Sequence, residues 1–369
     1  MPVEIKYILD FLENEFSDLS RQYEWDNSSR QIILENSKIS KVGLSLDPTK
    51  KAIEEAINRG CELLITHHPL FFGGIKKITN TDPLSHKIIL AIRHNLNIAS
   101  YHTNFDIADY SLNDYLIHKL NAKVEDIFIK EGSEEYFKFV VFVPAGYERK
   151  IIEVIDLSNA GSIGKYKKCT FSNPGIGTFE PGEETNPFIG KKGELEEVRE
   201  IRLETIVHKK YLKTLIKNVI NMHPYEEVAY DVYPLNLNKS YGLGRIGKFQ
   251  NKVDLKAFVN LISEKLSVND VRYNFLNDTL TFDRFAVVTG SGAPFWRNCV
   301  DKNIKVLLTG DLKHHDALDA KENGIAIIDA GHFHTERVFL EYLKKVIEEK
   351  FNIETFILDE DESIKHWRR

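Results

Sequence analysis

Apolar residues recur along the chain in two rhythms, and each rhythm marks a type of element. The runs Val42–Leu46, Leu63–Thr66, Phe285–Val288 and Val306–Thr309 read as buried strands. Between them, the spacing of Ala52, Ile53, Ala56 and Ile57 and the stretch Trp296–Val300 read as helices. Lys41–His68 and Arg284–Asp311 are therefore each predicted to form a βαβ unit. The two align without a gap: Val42 falls on Phe285, Leu64 on Leu307 and Thr66 on Thr309 at one constant offset. This predicts two related α/β halves rather than one continuous sheet. A further buried strand follows in each half, at Leu96–Ser100 and Ile325–Asp329.

The segment between the halves has another pattern. Strands are expected at Phe137–Val143, Arg199–Val207 and Val228–Tyr233, helices at Arg149–Ala160 and Tyr211–Met222, and a Gly- and Pro-rich loop at Asn173–Gly190. That order resembles β-α-β-β-α-β and suggests a ferredoxin-like α+β module between the halves. The expected division is thus 1–133 for the first half of an α/β domain, 134–236 for the inserted module and 237–369 for the second half.

Composition narrows the class. The 369 residues are 42% hydrophobic and 28% charged, and no apolar run approaches the length of a membrane span. A formal net charge of -6 opposes binding to a nucleic-acid backbone, with Lys165, Lys167 and Lys168 as a local basic exception. The start, Met1–Phe16, is amphipathic and carries Glu4, Asp10 and Glu13, unlike a secretory signal. Cys61, Cys169 and Cys299 stand far apart, as neither a disulfide framework nor a zinc finger would have them, so a reducing cytoplasm is expected.

The chemistry gathers behind the predicted strands, where ligands of open α/β sheets bind. His67 and His68 follow one apolar strand and precede Pro69; two adjacent rings can share a site only where the strand has ended. A strand-end pair bonded to backbone is as common as a ligand pair. Asp106 closes Tyr101–Asp106 after the next strand, where an Asp more often caps a helix, and His102 in that segment is a candidate to orient a ligand. His332 and Glu336 are four apart at a helix start, so both face one side, although an acid there is also favoured by the helix dipole. His334, between them, is a second candidate for an outer, orienting role. Three imidazoles and two carboxylates exceed what one catalytic zinc takes from protein. Two divalent ions fit better, with Glu336 expected to bridge them at the roughly 3.5–4 Å of two-metal hydrolytic sites.

Further candidates are weaker. Asp311 and His315 in Thr309–Asp316 are candidates for proton transfer, and Lys313 for holding an anion. The Thr289–Gly292 turn lies between strand and helix, where the backbone amides of Gly290 and Gly292 are candidates to hold phosphate, though a plain tight turn is commoner. Gly242, Gly244 and Gly247 spell G-x-G-x-x-G but lead into a strand, which argues against a dinucleotide site. The turn His223–Glu227 reads as surface charge rather than a metal site.

Taken in order, these motifs resemble the NIF-three-like dinuclear metal-centre family, whose members are commonly called GTP cyclohydrolase I type 2 homologues. The resemblance covers nearly the whole chain and rests on Glu24–Asn27, Ile65–Pro69, His102–Asp106, Thr309–Asp311 with His315–Ala317, and Asp329–His332 with Thr335 and Glu336. Glu134–Leu235 is similar to the added middle domain of the YqfO-type subgroup. The resemblance implies a divalent metal pair held by His67, His68, Asp106, His332 and Glu336, and a toroidal homohexamer. One departure stands out: Ser28–Gln31 follows Trp25-Asp26-Asn27 where the family usually shows a Val-Gly-Leu-Gln-type continuation. Two functions are expected to compete. One is a two-metal hydrolase acting on a C–N bond, as in GTP ring opening, or on a phosphoester; the other is a non-enzymatic regulatory or binding protein stabilised by metal. Zinc or iron is the expected metal, with manganese or nickel also compatible with such ligands.

Overall fold

A computed structural model describes residues 1–34, 37–237, 239–274, 280–360 and 362, apart from the Glu15 side chain. The protein is mixed α/β and divides into two compact units, one formed by Met1–Glu131 with Tyr241–Arg369, the other by Gly132–Ser240. Among the described residues, no helix is long and apolar enough to cross a membrane.

The first unit contains two main sheets. In one, Glu354–Ile357, Lys41–Ser45, Leu63–Thr66 and Asn97–Ser100 run parallel, and Ser29–Ile32 closes the edge antiparallel. In the other, Thr281–Val287, Val306–Thr309 and Ala326–Asp329 run parallel, flanked by Arg272–Tyr273 on one side and by Ser240–Asp254 and Lys123–Ser133 on the other. The central strands Leu63–Thr66, Asn97–Ser100, Val306–Thr309 and Ala326–Asp329 are buried at every residue, which explains why they read as continuous rather than alternating apolar runs. Gly43 pairs with Leu64 and Ala286 with Leu307, so the offset that aligns the two sequence segments also aligns their sheet registers.

Each sheet takes one strand from the other part of the chain. Glu354–Ile357 leaves the second segment to pair with Lys41–Ser45, and Lys123–Ser133 leaves the first to lie beside Ser240–Asp254. The helix Phe339–Phe351 makes the first exchange possible: it buries Phe339, Leu340, Leu343 and Ile347 against Val42, Leu44, Leu63 and Ile65 of the first sheet. That route carries the start of the preceding helix, His332–Arg337, over the strand ends of the first sheet.

The second unit is a four-stranded antiparallel sheet, Tyr230–Leu235, Tyr136–Pro144, Glu196–His208 and Thr170–Phe179 in spatial order. Glu148–Leu157 and Lys209–Met222 cover one face, burying Ile151, Ile155, Leu215 and Val219 with Phe139, Val141 and Leu203. Here the expected loop at Asn173–Gly190 needs correction. Its first part lies in the strand Thr170–Phe179, where Pro174 pairs with Ile201. An edge strand tolerates a proline because half of its amides point away from the sheet.

Candidate metal centre

Four chain segments meet at the carboxyl ends of the parallel strands. Thr66 pairs with Ser100, so the first sheet ends with His67 and His68 beside Tyr101 and His102. Thr309 pairs with Asp329, which sets Gly310 and Asp311 beside the turn at Gly331. Gly331 has φ 86°, a left-handed conformation that favours glycine, and it starts the helix carrying His332 and Glu336. Asp106 ends the short helix Thr103–Asp106.

The donor atoms converge around Glu336. Its Oε2 lies 3.0 Å from His332 Nε2 and 3.3 Å from His68 Nε2, while its Oε1 lies 3.8 Å from His67 Nε2. His67 Nε2 is also 3.7 Å from Asp106 Oδ1, and the Nε2 atoms of His68 and His332 face each other at 3.4 Å. Within 4.8 Å, one group comprises His67, His68 and His102, and another His68, His332 and Glu336.

Each ring is turned by a bond at its far nitrogen. His67 Nδ1 meets the Tyr101 carbonyl at 2.9 Å, His68 Nδ1 meets Asp47 at 2.8 Å, His332 Nδ1 meets Asp311 at 2.7 Å and His102 Nδ1 meets Asp26 at 3.0 Å. A carbonyl or carboxylate there holds the proton on Nδ1 and presents the Nε2 lone pair to the site, as outer partners of metal-ligating histidines do. Asp26 is itself fixed, since its Oδ2 accepts from the Thr103 and Ser28 hydroxyls at 2.6 and 2.8 Å. Ser28, at the departure from the family pattern, also accepts from the His102 amide.

Burial and close neighbours shift nearly every group of the site. His67 is fully buried, and burial drives its imidazolium down to about 3 despite the attraction of Glu336. Burial also opposes charge on His68 and His332, but Asp47 and Glu336 lift the first to about 10, and Glu336 and Asp311 lift the second to about 9. The Asp106 carboxyl is raised by burial, while the surrounding imidazoles outweigh burial at Glu336 and hold it well below the usual range. His67 Nε2, Asp106 Oδ1 and Glu336 Oε2 are buried without a hydrogen-bond partner. Leaving such atoms unpaired costs about 1–3 kcal/mol each, and divalent cations bound among these donors would satisfy all three. The residues present therefore fit a metal.

The remaining candidates fall in other places. Asp311 is bonded to His332, so it orients a ring and is not a free proton carrier. His315 is exposed and packs against His314 at 5.3 Å, and exposed Lys313 precedes the helix His314–Glu322; neither lines the cleft at the site. His334 does line that cleft, with Nε2 3.5 Å from Glu362. The anion reading of Gly290 and Gly292 is corrected: the Gly290 amide donates to Thr335 Oγ1 at 3.0 Å and the Gly292 amide to Thr309 Oγ1 at 2.8 Å. These glycines serve close approach, since a Cβ at Gly290 would lie 2.2 Å from Glu336 Oε1. Sequence reasoning gave no role to Asp26 or Asp47, although Asp47 follows the end of Lys41–Ser45, the position where ligands of such sheets gather.

The cleft beside the rings has a volume of about 660 Å3, and His68, Asp311, His332, Phe333, Arg272 and Asp329 are among its lining residues.

Comparison with known proteins places the chain in a family. The family model of Duf34/NIF3 (NGG1p interacting factor 3) matches residues 3–363. A Bacillus subtilis protein named GTP cyclohydrolase 1 type 2 homolog is 35% identical over 356 residues, covering 95% of each chain, and one from Halalkalibacterium halodurans is 36% identical over 334 residues, covering 90% of this chain and 89% of the relative. The crystal structure of a Bacillus cereus protein related to NIF3 superposes with a TM-score of 0.86 at 32% identity over 99% of both chains. A match over nearly the full length, at such identity and with the same fold, means that this chain belongs to the Duf34/NIF3 family.

Proposed function

We propose that this chain is a metal-dependent hydrolase whose dinuclear centre is held by His67, His68, Asp106, His332 and Glu336. The observation that carries this reading is the position of Glu336. One carboxylate oxygen turns to His67 and the other to His68 and His332, so a single acid addresses two donor sets. Asp106 completes the His67 set. When bound, a pair of divalent cations polarises a substrate oxygen and activates water at neutral pH. The chain's own part is to keep four imidazoles aimed through Tyr101, Asp47, Asp311 and Asp26, and to open the cleft on the side of His68 and His332. The name of the relatives brings a C–N bond of a purine nucleotide into consideration as the target.

A second reading, a metal-stabilised binding protein without turnover, is favoured by one observation. Asp26, Asp47 and Asp311 are each committed to an imidazole, which leaves none of the three free to move a proton. The two readings separate when metal-loaded protein is offered GTP, phosphoesters and amides, with formate release, ultraviolet change and phosphate release followed. Turnover that disappears in Glu336→Gln supports the hydrolase. Two metals per chain with no turnover supports the second reading, and fewer than two metals per chain overturns the dinuclear centre.

For Gly132–Ser240 we propose a ferredoxin-like module, supported by its β-α-β-β-α-β order and the way its first and third strands are central in the antiparallel sheet. A toroidal homohexamer is proposed from the family resemblance, to be tested by sedimentation. Cytoplasmic residence is proposed from three free cysteines.

A further inference from the structure

The second unit holds a pocket that the metal chemistry does not use. Its volume is about 300 Å3, and it is lined by the end of the strand Thr170–Phe179, part of the segment Glu180–Ile189, Glu200 and the turn around Tyr225. The turn has a structural cause. His223 Nδ1 accepts from the Tyr225 amide at 3.1 Å and Nε2 donates to the Phe142 carbonyl at 3.0 Å, so both ring nitrogens of His223 are spent on backbone. The histidine of this motif thus sets the turn and is no metal ligand, while Tyr225 is placed in the pocket wall.

The walls are aromatic. Phe179 and Phe188 stand 6.1 and 6.3 Å from Tyr225, and Tyr147 supports Phe188 edge-on at 5.8 Å. The Asn186 amide donates to Glu226 Oε2 at 2.8 Å and ties the loop to the turn. Glu180, Glu200, Glu226 and Glu227 line the pocket together with Phe179, Phe188 and Tyr225, and among the described residues no lysine, arginine or histidine does. Glu200 crosses a glycine, for a Cβ at Gly177 would lie 2.2 Å from its Oε2. The Tyr225 hydroxyl is buried beside Glu200 without completing a well-directed hydrogen bond.

An anion would be repelled here, and a purely apolar guest would leave Glu200 uncompensated. A cation with an organic body meets both demands, because ring faces attract positive charge and carboxylates bond to N–H donors. We propose that this pocket binds a small organic ammonium or guanidinium compound.

The test is calorimetric titration of the full-length, metal-loaded protein with spermidine, arginine and choline, with AMP as the anionic aromatic comparison. At least one cation is expected to bind with Kd below about 1 mM, and Phe188→Ala and Glu200→Gln are each expected to weaken it about fivefold, the usual size of a cation–π contact. Phe188 is 50% exposed, so its truncation leaves the fold intact, which an unchanged Tm and metal content would register. Gly177→Ala should weaken binding too, by displacing Glu200. Absence of binding by all three cations at 10 mM of each (a concentration about tenfold above the weakest expected Kd), preference for AMP, or affinities unchanged in Phe188→Ala and Glu200→Gln would each overturn the proposal.

Discussion

Gly290→Ala should damage the metal centre more than the fold. Gly290 has φ 66°, and the left-handed conformation costs an alanine about 1–2 kcal/mol. A second cost is specific to the site: the new methyl would sit 2.2 Å from Glu336 Oε1, about 1 Å inside ordinary contact. Glu336 is 5% exposed, so its carboxylate has little room to retreat without leaving His67 or His68 and His332. Gly324→Ala provides the comparison, since Gly324 has φ 75° and nothing within 4 Å of an added Cβ. Both variants should lose about 2–8 °C in Tm, from a backbone cost of about 1–2 kcal/mol in a domain of this size. Only Gly290→Ala should also lose metal, read by elemental analysis after dialysis against a graded chelator. A Gly290→Ala protein that keeps wild-type metal affinity, or that matches Gly324→Ala in every respect, would refute the placement of Glu336 against this turn.

Three further outcomes are expected. Asp47→Ala frees His68 Nδ1 and should weaken metal binding by about 10–100-fold in chelator competition, as loss of an outer partner does; unchanged affinity would remove Asp47 from the site. Arg245 is 4% exposed, pairs with Asp114 at 2.9 Å and donates to the Gly242, Gly244 and Ala108 carbonyls, so Arg245→Met should cost about 3–5 kcal/mol in urea unfolding, and a loss under about 1 kcal/mol would contradict this. In metal-free protein, His68 and His332 titrate at about 10 and about 9, above the ordinary 6.5. Their contribution to stability is therefore complete below pH 6.5 and lost as the pH rises through 9 to 10, so Tm measured in chelator should fall across that range, and a flat profile would count against the raised values.

The βαβ pair could be read along the chain because its cause is local. Val42, Leu64, Phe285 and Leu307 sit in strands buried on both faces, and that burial appears in sequence as an unbroken apolar run. His67, His68, Asp106, His332 and Glu336 stood out for a related reason: His67 and His68 follow a strand end, Asp106 closes the short helix after the next strand, His332 opens a helix and Glu336 lies four residues on from it, and neighbours in sequence reveal such positions. Local pattern stops short at the segment Asn173–Gly190. Asn173, Pro174 and Gly175 carry turn chemistry, and only pairing with Glu200–Arg202 makes them a strand.

Sequence alone settled the strands of the two βαβ units and the helices between them, and which side chains were able to serve as donors, because turn chemistry and hydrophobic period act over a few residues. The tertiary structure decided that Glu354–Ile357 joins the first sheet, that Asp47 and Asp26 turn His68 and His102, and that Gly290 must lack a side chain beside Glu336. Each of these rests on contacts between segments far apart in the chain, whose pairing is set by the burial of whole sheet faces and leaves no local mark.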